Sequence, residues 1–168
     1  MNRFNTNKQG FTLVELMVTI AVAMILLFVV VPSFSGIIES SKERATRDLL
    51  VSSIFAAKQQ AQSKRRTVYI CPTTDDINCA NSWGSNWLAY EDEDDSDDLS
   101  NGDIVFANVS SETDLIISNE LQIAFSPTGH STANIFQICS NTESTAAYQI
   151  QLTRMGRISY LTPTGGCP

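Results

Sequence analysis

Hydrophobic and polar positions divide this chain into three regimes. Residues 1–10, MNRFNTNKQG, are polar, with Arg3 and Lys8 as their charges. Phe11 to Val31 is apolar apart from Glu15 and a few small polar residues, and the sixteen residues Leu16–Val31 carry no charge. As a helix those 21 residues measure ~31 Å, enough for a bilayer core of ~30 Å. Beyond Pro32 the apolar residues turn periodic. Phe34, Ile38, Ala45 and Leu49 recur at spacings of four, seven and four, and Leu50, Ile54, Ala57 and Ala61 at four, three and four. These are helical spacings. Pro32 removes a helical hydrogen bond and Gly36 weakens the same stretch, so a bend is expected there. Glu43 with Arg47 and Arg44 with Asp48 are i,i+4 pairs suited to an outer face. The pattern predicts one bent helix over about 11–63, apolar all round in its first half and carrying one stripe for burial in its second.

After Arg66 the period shortens. Thr67–Cys71, Trp87–Tyr90, Ile104–Phe106, Leu115–Ser118, Leu121–Phe125, Ile135–Cys139, Tyr148–Thr153 and Arg157–Leu161 read as strands. Tyr148, Ile150 and Leu152 alternate cleanly against Gln149, Gln151 and Thr153. Turn signals separate the segments at Asn101-Gly102, Pro127-Thr128-Gly129 and Pro163-Thr164-Gly165-Gly166. The expected fold class is α+β: a helix packed on an antiparallel domain of about eight short strands, in two sheets.

Composition changes this picture little: of 168 residues, 43% are hydrophobic and 17% charged, which excludes collagenous, coiled-coil and disordered classes. Charge changes it more. A net charge of −7 opposes a general nucleic-acid-coating role. The apolar run near the N-terminus opposes a purely cytosolic domain. It is not an ordinary secretory signal, because the small residue Gly10 precedes the apolar core and no A-x-A-like site follows. Basic residues before the run place that end in the cytoplasm and the remainder outside the inner membrane. Glu15 stands out, because a carboxylate within a bilayer is costly. A negative charge suits the start of a helix; the sharper reading gives Glu15 a dedicated cationic partner.

Gly10-Phe11-Thr12-Leu13-Val14-Glu15 resembles the class III signal of type IV pilins and type II secretion pseudopilins. The resemblance implies a leader, residues 1–10, cut between Gly10 and Phe11 by a prepilin peptidase, and N-methylation of Phe11. It implies a transmembrane helix segment over 11–34, an amphipathic helix over 35–63 and a globular β-rich domain over 64–168. Glu15 and Pro32 match the family's assembly glutamate and helix proline. Phe11 and Glu15 are i and i+4, on one helix face, so an amine made at Phe11 can pair with its own Glu15 or with a neighbour's.

The four cysteines all lie in the β region, and an even number in an exported protein points to disulfides. Three pairings exist. Cys71–Cys79, closing CPTTDDINC, and Cys139–Cys167, anchoring the C-terminal tail, are the preferred set. With no C-x-x-C and His130 as the one histidine, a zinc site is disfavoured. Further residues narrow the resemblance to the FimT/FimU and GspH minor subunits: Val68-Tyr69-Ile70-Cys71-Pro72, Cys79, Trp83-Gly84-Ser85-Asn86-Trp87, an acidic loop, Ile123 to Gly129, and Gly156-Arg157 with a terminal cysteine.

Candidate chemistry outside assembly is sparse. No G-x-S-x-G, P-loop or G-x-G-x-x-G occurs, so no enzyme and no cofactor is expected. Glu91–Asp98 holds seven carboxylates in eight residues. A solvated loop is the default for such a run; calcium is the alternative, with Asp92, Asp94 and Asp103 as first candidates, although the run lacks an EF-hand's glycine and distal glutamate. Lys64, Arg65 and Arg66 suit a helix C-terminus, and with Arg154 and Arg157 they form the candidate DNA-binding set. The Gly-Arg-x-Arg motif of FimT-like DNA binders is incomplete here, because Ser159 stands at its second arginine. The resulting expectation is a minor type IV pilin at or near the pilus tip, with a type II secretion pseudopilin and a DNA-binding competence pilin as alternatives. Its partners would be other minor and major pilins or pseudopilins, the prepilin peptidase and the inner-membrane assembly platform. It would move from the inner membrane, with a periplasmic C-terminal domain, into the filament.

Overall fold

The computed structural model describes residues 11–100, 102–111, 115–139, 146–164 and 166–167, without the side chains of 28–34 and Leu115. It divides into two units, Met1–Ile38 and Glu39–Pro168. The first element is α1, Leu13–Lys64. Thr12 caps it: its Oγ1 accepts from the Glu15 N–H at 3.2 Å and its carbonyl from the Leu16 N–H at 3.2 Å. Thr12-x-x-Glu15 has the sequence form of a capping box. Helical backbone continues through Pro32 and Gly36, where the pattern suggested a bend. The helix ends when Arg65 adopts a left-handed conformation, φ 58°, just after Lys64, whose charge suits the C-terminal dipole.

Among the described residues no helix is long and apolar enough to cross a membrane. Every described side chain from Phe11 to Leu27 is exposed.

In the second unit, eight strands follow: β1 Val68–Pro72, β2 Asn86–Glu91, β3 Ile104–Ser110, β4 Leu115–Ser118, β5 Ile123–Phe125, β6 Asn134–Cys139, β7 Ala146–Leu152 and β8 Ile158–Leu161. They form two antiparallel sheets, ordered β3-β2-β1-β5 and β4-β6-β7-β8. The fold is therefore α+β with two sheets, as the pattern predicted. β3 is longer than expected, reaching Ser110, because a bulge beside Ala89/Tyr90 lets pairing resume past Phe106.

One core joins the helix to both sheets. Leu50, Ile54, Ala57 and Ala61 of α1 pack with Val68, Ile70, Trp87 and Phe125 of the first sheet and Phe136, Ile138, Ile150 and Leu152 of the second. At roughly 25 cal/mol per Å² of apolar area, such burial is the main stabilising term. Trp83 meets Phe136 edge-on, with ring centroids 5.2 Å apart, and its Nε1 donates to the Glu120 carbonyl at 2.7 Å. β1 is buried on both faces, because Tyr69 and Cys71 turn outward into a second cluster with Leu88 and Tyr90. Tyr69 and Tyr90 are directly paired across the strands and stack at 5.3 Å.

Three sequence expectations are corrected. Ile38, Ala45 and Leu49 are exposed, and the buried face instead runs through Glu43, Thr46, Leu50, Ile54, Ala57 and Ala61. Asp48 is held by its neighbour Arg47, at 2.8 Å, while Arg44 reaches across to the Tyr148 hydroxyl at 3.2 Å. A guanidinium above an aromatic ring gains more there than at an open helix face, and Arg47 lies 4.8 Å from the Tyr148 centroid. Gln149, an outward position by alternation, is also buried. Its Oε1 accepts from the Thr164 N–H at 3.2 Å, so the C-terminal tail covers it.

Both disulfides match the preferred pairing: Cys71–Cys79 spans 8 residues and Cys139–Cys167 spans 28. No described cysteine is free.

Candidate functional site

The residues of the N-terminal motif occupy a helix start. Gly10 lies outside the described residues. Phe11 is 79% exposed and precedes α1; Glu15 stands in the first turn, one turn along, also exposed. Leu13, Val14, Leu16, Met17, Val18 and Ile20 continue an apolar surface on every side of the helix. A helix that is apolar all round requires cover from lipid or from other chains. Pro32 falls within the helical backbone; its side chain is not described.

The acidic run folds back onto the outer face of the first sheet. Asp92 is buried, Asp103 half-buried and Asp94 exposed, and ligand atoms of the three lie within 4.8 Å of one another. The sequence candidates for a cation are thus brought together across a loop. Their oxygens already serve the loop itself. Asp103 accepts from the Glu93 N–H at 2.8 Å and the Ser100 N–H at 2.7 Å. Asp92 accepts from the Ser96 N–H at 3.2 Å, and Asp94 from the Ser100 hydroxyl at 3.0 Å. Hydrogen bonds from Ser96, then Ser100, hold the Asp94 carboxyl below its usual range. Tyr69 and Gln122 hold the run down: the Tyr69 hydroxyl donates to the Asp97 carboxylate and Gln122 Nε2 donates to the Asp97 carbonyl at 2.9 Å. Burial, followed by Asp97, pushes the Tyr69 phenol up; burial, followed by Asp103, does the same to Tyr90. No sequence signal linked Tyr69 to Asp97, because the contact crosses 28 positions.

The basic candidates fall in two places along the chain. Lys64, Arg65 and Arg66 close α1, and Arg66 makes an ion pair with Glu93 of the acidic run. Arg154 and Arg157 are exposed on the turn between β7 and β8. That turn is built on Lys58, whose Nζ donates to the Met155 and Gly156 carbonyls at 3.3 and 3.1 Å. Gly156 (φ 66°) and Gly129 (φ 85°) take left-handed conformations beside it. Lys58 was not legible as functional or structural in the sequence, since it lies in an ordinary polar stretch of helix. His130 is exposed in its turn, with Nδ1 2.9 Å from Thr128 Oγ1.

Comparison with known proteins agrees with this architecture. The family model for the type II transport protein GspH matches residues 46–156, and that for the prokaryotic N-terminal methylation motif matches residues 5–31. No curated protein gives a significant match. Among solved structures, the type IV minor pilin FimU of Pseudomonas aeruginosa strain PAO1 is similar in two crystal forms. One superposes with a TM-score of 0.57 at 18% identity, over 74% of this chain and 99% of FimU. The other gives 0.58 at 17% identity, over 77% and 98%. At that identity the likeness is one of fold. The family and fold are those of filament components and not of enzymes. With its β domain and methylation motif both matched, the chain belongs to the GspH family of type IV pilin-like minor subunits.

Proposed function

We propose that this chain is a minor pilin that helps to initiate or cap a type IV pilus at its tip. The single observation that carries this is the uncovered apolar surface of residues 11–27 with Phe11 and Glu15 at its start. Residues 11–34 would hold the precursor in the bacterial inner membrane, with the domain from Glu39 onward in the periplasm. Prepilin peptidase would cut between Gly10 and Phe11 and methylate the new amine. In the filament, the same apolar surface would leave lipid and pack against neighbouring subunits, delivered by the inner-membrane assembly platform. Glu15 would pair with the Phe11 amine of a neighbour, setting the axial register. An unpaired charge in that apolar setting costs roughly 3–5 kcal/mol. The cost falls on docking and leaves insertion unaffected.

The test is to shear filaments from cells and compare wild type with Glu15→Ala. The variant is expected in the membrane fraction, cleaved, and depleted from filaments, with Glu15→Asp intermediate. Equal incorporation would reject the pairing role.

The match to the type II transport protein GspH supports a second destination, a secretion pseudopilus. Deleting the gene separates the two: loss of surface pili supports the first, loss of exoprotein secretion with pili intact the second. The acidic net charge and the engagement of Arg66 by Glu93 favour protein partners over DNA.

A further inference from the structure

The charges of this chain are segregated. No lysine or arginine occurs between Arg66 and Arg154, while fourteen of the eighteen carboxylates do. Ten of them lie between Asp75 and Asp103, in β2 and the loops of the first sheet, which therefore carry a negative field. Among the described residues, Arg66 reaches them in an ion pair with Glu93.

Within that field lies a groove of about 510 Å³, lined by Ile77, Asn78, Leu99, Ser100, Asp103 and Val105. Its two walls are held in place. On one side the Cys71–Cys79 disulfide closes the loop. Asp75 accepts from the Ile77 and Asn78 N–H groups at 3.0 and 2.8 Å, and Asn108 Nδ2 donates to the Asp76 carbonyl at 3.3 Å, tying the loop to β3. On the other side Asp103 anchors Ser100. Ile77 is nonetheless 69% exposed and Val105 41%. A tightly closed loop that presents an isoleucine to solvent leaves apolar area that a partner can bury. β3 is also the outer strand of its sheet, and among the described residues no further strand pairs with that edge.

We propose that this groove docks a segment of a different filament subunit, one that places a lysine or arginine beside an apolar side chain. The proposal rests on the assembly reading above and gives it a specific face. Charge selects the occupant. Exposed Ile77 and Val105 in its lining take the apolar side chain, and Asp103 in the lining, with Asp76 and Asp98 next to Ile77 and Leu99 in the chain, takes the cation. Nucleic acid and anionic lipid are repelled, and a second copy would bring another strongly acidic chain.

The experiment places a photo-reactive benzoylphenylalanine at Val105 in the full chain, in cells that make the filament. A second variant carries it at exposed Tyr160, outside the groove. Sheared filaments are then analysed for this chain and its adducts. The expected result is an adduct from position 105 with a different subunit, attached near a lysine or arginine, and absent from position 160. Asp76→Asn with Asp98→Asn should lower its yield about threefold or more. Among the described residues Asp76 and Asp98 engage in hydrogen bonds through their backbone only, so the loops should keep their form. An adduct between two copies, or a yield indifferent to those two substitutions, overturns the proposal. So does recovery of the chain in filaments without an adduct, which leaves the assembly reading intact. Absence of the unlabelled chain from filaments overturns both.

Discussion

The indole Nε1–H of Trp87 donates to the hydroxyl of Ser53 at 2.9 Å, in a buried contact between β2 and α1. Trp87 is fully buried, so its N–H has no access to water. Removing the acceptor leaves a buried donor unsatisfied, which costs about 1–3 kcal/mol. Ser53→Ala should therefore lower the denaturant midpoint with the slope unchanged. An unshifted midpoint would show that another acceptor serves the indole.

Gly156 should tolerate no side chain. It takes φ 66°, and a Cβ there would meet the Gly129 carbonyl at 2.7 Å and Lys58 Nζ at 2.8 Å. Gly156→Ala is expected to cost about 1–3 kcal/mol. In a Lys58→Met background the penalty should change, because the two positions are in contact and their effects are not additive. Thermal unfolding of the four proteins of this cycle checks both statements; strict additivity would mean that Lys58 does not sense the substitution.

Each disulfide should contribute roughly 2–4 kcal/mol, chiefly by restricting the unfolded chain. Replacing Cys71 and Cys79 by serine should also loosen the wall of the groove. Replacing Cys139 and Cys167 should free the tail over Gln149, which hydrogen exchange of the Thr164 amide would report. Full protection of Thr164 in the second variant would show that Gln149 alone holds the tail.

Acid should act on the Cys71–Cys79 loop late. Hydrogen bonds from the Asn78 N–H, the Asn78 side chain and the Ile77 N–H hold the Asp75 carboxyl well below its ordinary value of 3.8. A carboxyl whose folded pKa is depressed stabilises the fold above the ordinary value. That contribution is lost as pH falls through the folded one. The Asn78 amide resonance should accordingly titrate with a midpoint below 3.8, and Asp75→Asn should abolish that step. A midpoint at or above 3.8 would contradict the hydrogen-bonded geometry.

Processing offers a further test. If the peptidase cuts after Gly10 as proposed, a valine side chain there would fill the space that its subsite reserves for glycine. Gly10→Val should accumulate as the uncut 168-residue precursor in the membrane fraction. Mass spectrometry that finds protein beginning at Phe11 in this variant would place the cleavage rule elsewhere.

Local chemistry made much of this protein legible in its sequence. Helical spacing of Leu50, Ile54, Ala57 and Ala61 marked a buried face because side chains three or four apart on a helix are neighbours. Short apolar runs between turn residues marked all eight strands. The motif from Gly10 to Glu15 is contiguous, so the family it points to could be read from six residues. The short disulfide was legible for a similar reason, with its two cysteines only 8 positions apart. Other features depended on which surfaces the fold brings together. Glu43 and Thr46 are buried although polar, because tertiary packing covers that part of α1, which no single-helix period can state. Gln149 is buried because the tail crosses it. Asp97 reaches Tyr69, and Ile77 faces Val105 across a groove, only after loops distant in sequence lie side by side. Periodicity encodes which residues of an element share a face. Which partner that face meets is set by the packing of the whole chain, and there the placement of the acidic loop was decided.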